Sequence, residues 1–228
     1  MISPVHQRFS DVSAVILAGG RSSRMGSNKA LLPYRGGRFI EAIHRQLAEM
    51  FAEVILVTNN PEQYDFLPCR TVPDRYTGCG VLAGIHSGLY HSLSPAIFAV
   101  ACDMPYLSEH LIRHLTNQAD ERGVVIPESP VGIEPLHAVY GRGCLPAVET
   151  VLMAGEMKIR SFFDRVPVTR VSADEVETFD PGFNSFRNIN TPDEYFQLRM
   201  REREGAVRES ADPGDEAYAG VRRSGVSL

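Results

Sequence analysis

A chain of 228 residues suits one large α/β domain or two small ones and is long enough to bury a substantial core. Its composition, 43% hydrophobic and 22% charged, is that of an ordinary globular protein and excludes the disordered, collagen-like and disulfide-scaffold classes. A formal net charge of -5 supplies no global field for DNA or an anionic membrane. A phosphate-bearing ligand must therefore sit in a local basic site, which favours a small molecule over a nucleic acid. Cys69, Cys79, Cys102 and Cys144 form no C-x-x-C pair and read as reduced thiols of a cytoplasmic protein. Met1 to Ser10 lacks the apolar stretch of a signal peptide, and no apolar run approaches a membrane span.

In chain order, residues 1–11 read as an N-terminal extension. Ala14 to Leu17 is a continuous apolar run with a glycine pair behind it, the pattern of a buried parallel strand emptying into a ligand loop. Phe39, Ile40, Ile43, Leu47, Met50 and Phe51 recur at helical spacing, and Val54 to Val57 follows as a second buried strand. Arg70 to Val72 is a short third strand. A helix over Val81 to Leu93 is entered through the turn Gly78-Cys-Gly80. Ala96 to Cys102 is apolar throughout and is stopped by Asp103 and Pro105, which makes it the least ambiguous strand. Ser108 reads as the N-cap of a helix carrying Leu111, Ile112 and Leu115, and Val124 to Ile126 as another strand.

The second half is less regular. Leu136 to Tyr140 and Val166 to Val171 read as strands, Leu145 to Met153 and Lys158 to Phe163 as helices. Thr191-Pro-Asp-Glu194 is a capping box with proline at the first helical position, opening a last helix. The alternation predicts a single three-layer α/β/α domain over residues 12–200, built on a mostly parallel, doubly wound sheet whose later strands are mixed in direction. Residues 201–228 hold almost no large apolar side chain and read as a flexible tail.

Ligands of open α/β sheets bind beyond the carboxyl ends of the strands, and there the first strand meets Ala18, Gly19 and Gly20, followed by Arg21, Arg24 and Lys29. Glycines let backbone N–H groups approach a phosphate chain while Arg and Lys neutralise it. The segment is not a Walker A loop, because Gly20 and Gly26 enclose five residues rather than four and no Gly-Lys-Ser/Thr follows; nor is it the dinucleotide fingerprint. Alone it says only that phosphate binds here. Asp103 ends the strongest strand at the same sheet edge, where a carboxylate can hold Mg²⁺ against triphosphate oxygens. His137 reads as a packed or surface histidine, since no partner is identifiable.

The pattern L-A-G-G-x-S-x-R-M-G-x-x-K-x-L from Leu17 to Leu31 resembles the signature loop of the GT-A-like nucleotidyltransferases, most closely the molybdenum-cofactor guanylyltransferases. The resemblance covers about Val12 to Leu198 and implies a Rossmann-like nucleotidyltransferase fold. It implies that Leu17, Ala18, Gly19 and Gly20 contact the nucleotide and that Arg24 and Lys29 approach its phosphates. Asn28 stands where an aspartate often precedes this lysine. Cys102-Asp103-Met104-Pro105 is similar to the C-D-x-P motif that carries the family's metal ligand, which implies Mg²⁺ on Asp103. Thr58 and Asn59 correspond to the lining of the nucleoside pocket, and Asp74 to an aspartate contacting the nucleotide. Gly80 to Gly84 resembles a G-P-L-A-G turn that reads the purine, with Val81 in place of proline. Pro135 to Tyr140 resembles the P-L-x-A-V-Y strand, and Phe186 to Glu194 the F-x-N-I-N-T-P-E-D segment, which implies that Asn188 and Asn190 face the pterin end.

The resemblance thus implies transfer of GMP from GTP to the phosphate of the molybdenum-molybdopterin cofactor with release of pyrophosphate, with Arg24, Lys29 and Asp103 as the catalytic residues. Cytidylyl transfer, sugar- or polyol-phosphate acceptors, and a non-catalytic cofactor carrier are the alternatives. The implied partners are GTP, the pterin cofactor, and transiently the insertion proteins or molybdoenzymes that receive the product, with the protein itself a monomer or weak homo-oligomer.

Overall fold

Val12–Leu17, buried at every position, forms β1 at the centre of the main sheet in the computed structural model, which describes residues 7–19, 28–191, 193–198 and 200. After it come a hairpin of β2 (Pro33–Tyr34) and β3 (Gly37–Arg38), helix α1 (Phe39–Met50), β4 (Val54–Val57) and β5 (Arg70–Val72). Then follow α2 (Gly80–His91), β6 (Ala96–Ala101), α3 (Glu109–Asn117), β7 (Val124–Ser129), β8 (Gly132–Ile133) and β9 (His137–Gly141). The chain continues with α4 (Leu145–Met153), β10 (Val168–Val171) and α5 (Ala173–Phe179).

The main sheet runs β10-β7-β9-β6-β1-β4-β5, with β8 paired to β7. β1 is parallel to β4 and to β6, and β5 is parallel to β4. β9 is antiparallel to both β6 and β7, and β10 is parallel to β7. Two reversals cancel, so β7 and β10 point the same way as β6. The carboxyl ends of β1, β4, β5, β6, β7 and β10 therefore share one edge.

Alternation along β1 divides the core. Val12, Ala14 and Ile16 face a layer containing Ile40, Ile43 and Leu47 of α1, Leu111 and Ile112 of α3, and Val176 of α5. Val15 and Leu17 face Leu82, Ile85 and Leu89 of α2, Val148 and Leu152 of α4, and Phe162. The result is the expected α/β/α sandwich. Helix α2 lies close to the sheet at Gly88, where a Cβ would come within 2.9 Å of Val15 Cγ1. The connection from β1 to β4 passes on one face and that from β5 back to β6 on the other, which puts the topological switch point between β1 and β6.

Several elements depart from the sequence expectations. Lys158 to Phe163, expected as a helix, is a 3-10 turn over Ile159–Arg165. Strand β10 begins at Val168 rather than Val166, because Pro167 has no N–H to donate and offers only its carbonyl, to Val124 N at 2.9 Å. Helix α5 is an addition, capped by Ser172, whose Oγ accepts from Glu175 N.

The chain divides into two compact units, Met1–Asn190 and Thr191–Leu228. In the second, the capping box is made in both directions. Thr191 N donates to Glu194 Oε2 at 2.8 Å, Glu194 N donates to Thr191 Oγ1 at 3.2 Å, and residues 193–198 are helical. The tail from 201 onward lies outside the described residues. Among the described residues no helix is long and apolar enough to cross a membrane.

Candidate active site

The carboxyl ends of β1, β4 and β5 build one half of the site. Asn59, just past β4, and Asp74, just past β5, lock together: Asn59 Nδ2 donates to Asp74 Oδ2 at 3.0 Å and Asp74 N donates to Asn59 Oδ1 at 3.0 Å. Thr58 is buried behind them, its Oγ1 accepting from Asn60 N. The Asp74 carboxylate lies between two glycines. A Cβ on Gly19 would sit 3.7 Å from Asp74 Oδ2, and one on Gly84 would sit 3.8 Å from Asp74 Oδ1 and 3.0 Å from Leu17 Cδ2. Asp74 Oδ1 is buried without a hydrogen-bond partner among the described residues, and burial raises the carboxyl pKa against the lowering effect of the Asn59 bond. A buried acceptor beside glycines has room to accept from an N–H or O–H donor. Gly80 opens α2 with φ of 66°, a conformation that favours glycine.

The other half stands at the switch point between β1 and β6. Cys102 N donates to Leu17 O at 3.2 Å, tying the two strand ends together, and Asp103 comes next. Lys29 Nζ lies 3.6 Å from Asp103 Oδ2 and donates to Asn190 Oδ1 at 2.6 Å, a contact between residues 161 apart in the chain. The Asp103 carbonyl accepts from Ile189 N at 3.0 Å, which fixes the Asn190 segment against the end of β6. At 3.6 Å the ammonium and carboxylate attract without a hydrogen bond, so the Asp103 oxygens keep lone pairs for a cation. Side-chain exposures of 15% and 21% leave both groups reachable. A pair this open adds at most about 1 kcal/mol to stability, so preorganisation is its stronger use.

Asn28 explains its own departure from the usual aspartate. Its Oδ1 accepts from Ala30 N and caps the turn Lys29–Leu31, while its Nδ2 donates to Gln63 Oε1 at 2.7 Å and Tyr64 Oη at 2.8 Å. A carboxylate could not make the two donations.

Leu17, Gly19, Asn59, Asp74 and Gly84 thus meet on one side, and Lys29, Asp103 and Asn190 on the other. Ala18 continues the β1 exit, its N bonded to Val57 O at 2.9 Å. Asn188 is exposed two residues before Asn190 and is not hydrogen-bonded to Lys29 or Asp103. Gly20 and Arg24 lie outside the described residues. His137 is fully buried, edge-on to Phe98 and Phe186, and burial pushes its pKa down to about 3. It is a packed neutral ring. Burial and the Asp103 charge push the Cys102 thiol up to about 12, which keeps it protonated and a poor nucleophile. Sequence reasoning missed the half-buried Glu134, which accepts from Ser129 Oγ at 2.6 Å. Its carboxyl pKa is raised by burial. It also missed a cavity beside β7 and β10, whose lining comes from elements far apart in the chain, with no spacing signal.

Residues 14–171 match the family model described as the MobA-like NTP transferase domain. The chain is 37% identical over 188 residues to the "Probable molybdenum cofactor guanylyltransferase" of Pelotomaculum thermopropionicum, covering 82% of this chain and 92% of that one. It is 35% identical over 185 residues to the molybdenum cofactor guanylyltransferase of Desulfosudis oleivorans, covering 80% and 92%. Among solved structures, molybdopterin-guanine dinucleotide biosynthesis protein A from Archaeoglobus fulgidus superposes with a TM-score of 0.73 at 25% identity, covering 85% of this chain and all of that one. The sheet and these relatives define an α/β nucleotidyltransferase. Within that class, the chain belongs to the MobA-like NTP transferase family.

Proposed function

We propose that this protein transfers GMP from GTP to the phosphate of the molybdenum-molybdopterin cofactor and releases pyrophosphate. The observation that carries the reading is Lys29 Nζ held between Asp103 and Asn190 at the β1–β6 switch point. The names of its relatives supply the acceptor and the base.

The acceptor phosphate is already an anion near neutral pH and needs no protein nucleophile. One of its oxygens attacks the α-phosphorus of GTP; the new P–O bond forms as the α–β bridging bond breaks, and its electron pair leaves with pyrophosphate. Lys29 neutralises charge on the phosphates, and Arg24, from its place in the loop, joins it. Leu17, Ala18, Gly19 and Gly20 let the nucleotide approach the backbone. Thr58, Asn59, Asp74, Gly80 and Gly84 line the nucleoside pocket, and Asn188 and Asn190 face the acceptor.

Asp103 is the residue that would hold Mg²⁺. Among the described residues no group of three or more His, Cys, Asp or Glu side chains could hold a metal, which suits an ion that takes one carboxylate and completes its shell with phosphate oxygens and water. Bound there, magnesium supplies charge neutralisation to the triphosphate.

A binding panel of GTP, CTP, ATP and UTP, each with Mg²⁺, tests the base. GTP binds tightest on this reading, and tightest binding of CTP or UTP overturns it.

A further inference from the structure

At the same sheet edge, on the side of β7 and β10, a cavity of about 480 Å³ opens between those strands, the β8 hairpin and the turn Ile159–Arg165. Its polar lining is balanced, with Glu128 and Asp164 against Arg160 and Arg170, and its apolar wall is Phe163 and Ile133. Arg170 Nη1 donates to Glu128 Oε1 at 2.9 Å, which orients that carboxylate; its second oxygen has no hydrogen bond among the described residues. Phe163 is set at 90° to the buried ring of Phe162, with centroids 5.0 Å apart.

We infer that this cavity takes the ring system of the acceptor, and that Glu128 and Phe163 are its specificity-determining residues. Two cations against two anions make a poor site for a phosphate or for a cation, and a better one for a neutral, flat, polar heterocycle. A 2-amino-4-oxo-pyrimidine edge presents two adjacent N–H donors that match the carboxylate of Glu128. The face of such a ring stacks on Phe163, and the guanidinium plane of Arg160 is within the same lining. The volume falls in the range of small-molecule sites. Placement agrees as well. Neighbouring strands are about 4.8 Å apart, so the end of β7 stands roughly 10 Å across the sheet from the end of β6, where Asp103 lies. A phosphomonoester of a fused-ring pterin can reach between the two, phosphate toward Lys29 and Asp103 and pyrimidine edge toward Glu128. The inference rests on the acceptor assigned under the proposed function.

Two arms of one experiment on the full chain test it. In steady-state GMP transfer to the pterin cofactor, Glu128→Gln and Phe163→Ala each raise the acceptor KM by about tenfold or more, while kcat and the KM for GTP stay within about twofold. In the second arm, quenching of pteridine fluorescence without turnover, the wild type binds 2-amino-4-oxopteridine about tenfold more tightly than 2,4-dioxopteridine, which lacks the amino donor. Glu128→Gln erases that preference. Unchanged acceptor KM in both variants, or equal binding of the two pteridines by the wild type, overturns the inference. If the wild type transfers no GMP to the pterin cofactor, the proposed function fails, and the pteridine arm still decides the cavity alone.

Discussion

Asp74→Asn separates ligand recognition from folding. Among the described residues the buried Asp74 Oδ1 acceptor has no hydrogen-bond partner, while Oδ2 is bonded to Asn59. If Oδ1 takes an N–H or O–H donor of the nucleoside, that bond is to an ionised group and contributes about 1.5–3 kcal/mol. Its loss weakens GTP binding by roughly 10- to 150-fold, since about 1.4 kcal/mol is tenfold in Kd. Stability moves the other way. Burial raises the Asp74 carboxyl pKa, so the ionised group opposes folding above its folded pKa, and that penalty disappears below the unfolded value of 3.8. The amide carries no such penalty, so the variant melts at or above the wild-type temperature at pH 7, and any advantage fades as pH falls toward 3.8. Isothermal titration of GTP with Mg²⁺ and thermal unfolding read the two effects. A GTP Kd within about twofold of wild type, or a lower melting temperature at pH 7, refutes the reasoning.

Lys29→Ala lowers kcat by about 10²–10³-fold while changing stability by no more than about 1 kcal/mol; a variant whose KM alone changes contradicts the assigned role. Asn190→Ala removes the 2.6 Å acceptor of Lys29 Nζ and reduces kcat/KM by about tenfold, and Asn190→Asp, which keeps an acceptor, recovers most of it; equal losses in both would place the role of Asn190 elsewhere. His137 is neutral when folded, its pKa pushed down to about 3 from 6.5. Its contribution is therefore intact above pH 6.5 and is lost progressively as pH falls toward 3, as the unfolded chain takes up a proton that the folded one refuses. Denaturant unfolding of His137→Leu at pH 7.5 and 5 shows a loss about 2 kcal/mol smaller than that of the wild type, and an equal loss contradicts the packed neutral ring. Gly88→Ala drives a methyl into Val15 and destabilises by about 1–3 kcal/mol in denaturant unfolding; a neutral result denies the close approach of α2 to β1.

The fully buried strands Val12–Leu17 and Ala96–Ala101 were the most legible elements. Val54–Val57 and Leu145–Met153 form as their apolar patterns indicate, Arg70–Val72 forms the short strand expected there, and Ser108 caps α3 as its position before Leu111 and Ile112 suggests. Helix α5 was missed because only Val176 of its seven residues is buried, leaving no apolar periodicity. Its Ser172-x-x-Glu175 cap was the usable signal. The β2–β3 hairpin is two residues on each side, too short for alternation to register. In the site, Lys29 and Asp103 were readable because glycine loops and strand-terminal carboxylates have positional meaning in an α/β sheet. The lock between Asn59 and Asp74, the role of Asn28 under Lys29 and the Glu128–Arg170 cavity depend on which strands become neighbours. Linear spacing does not encode that.

The most direct test of the account follows the label from GTP into the product. With the pterin cofactor and Mg²⁺, label in the α-phosphate of GTP passes to the cofactor and label in the γ-phosphate leaves in pyrophosphate; Asp103→Ala, folded by thermal unfolding, transfers neither. Release of α-label as free GMP, transfer from CTP in preference to GTP, or undiminished transfer by folded Asp103→Ala would contradict it.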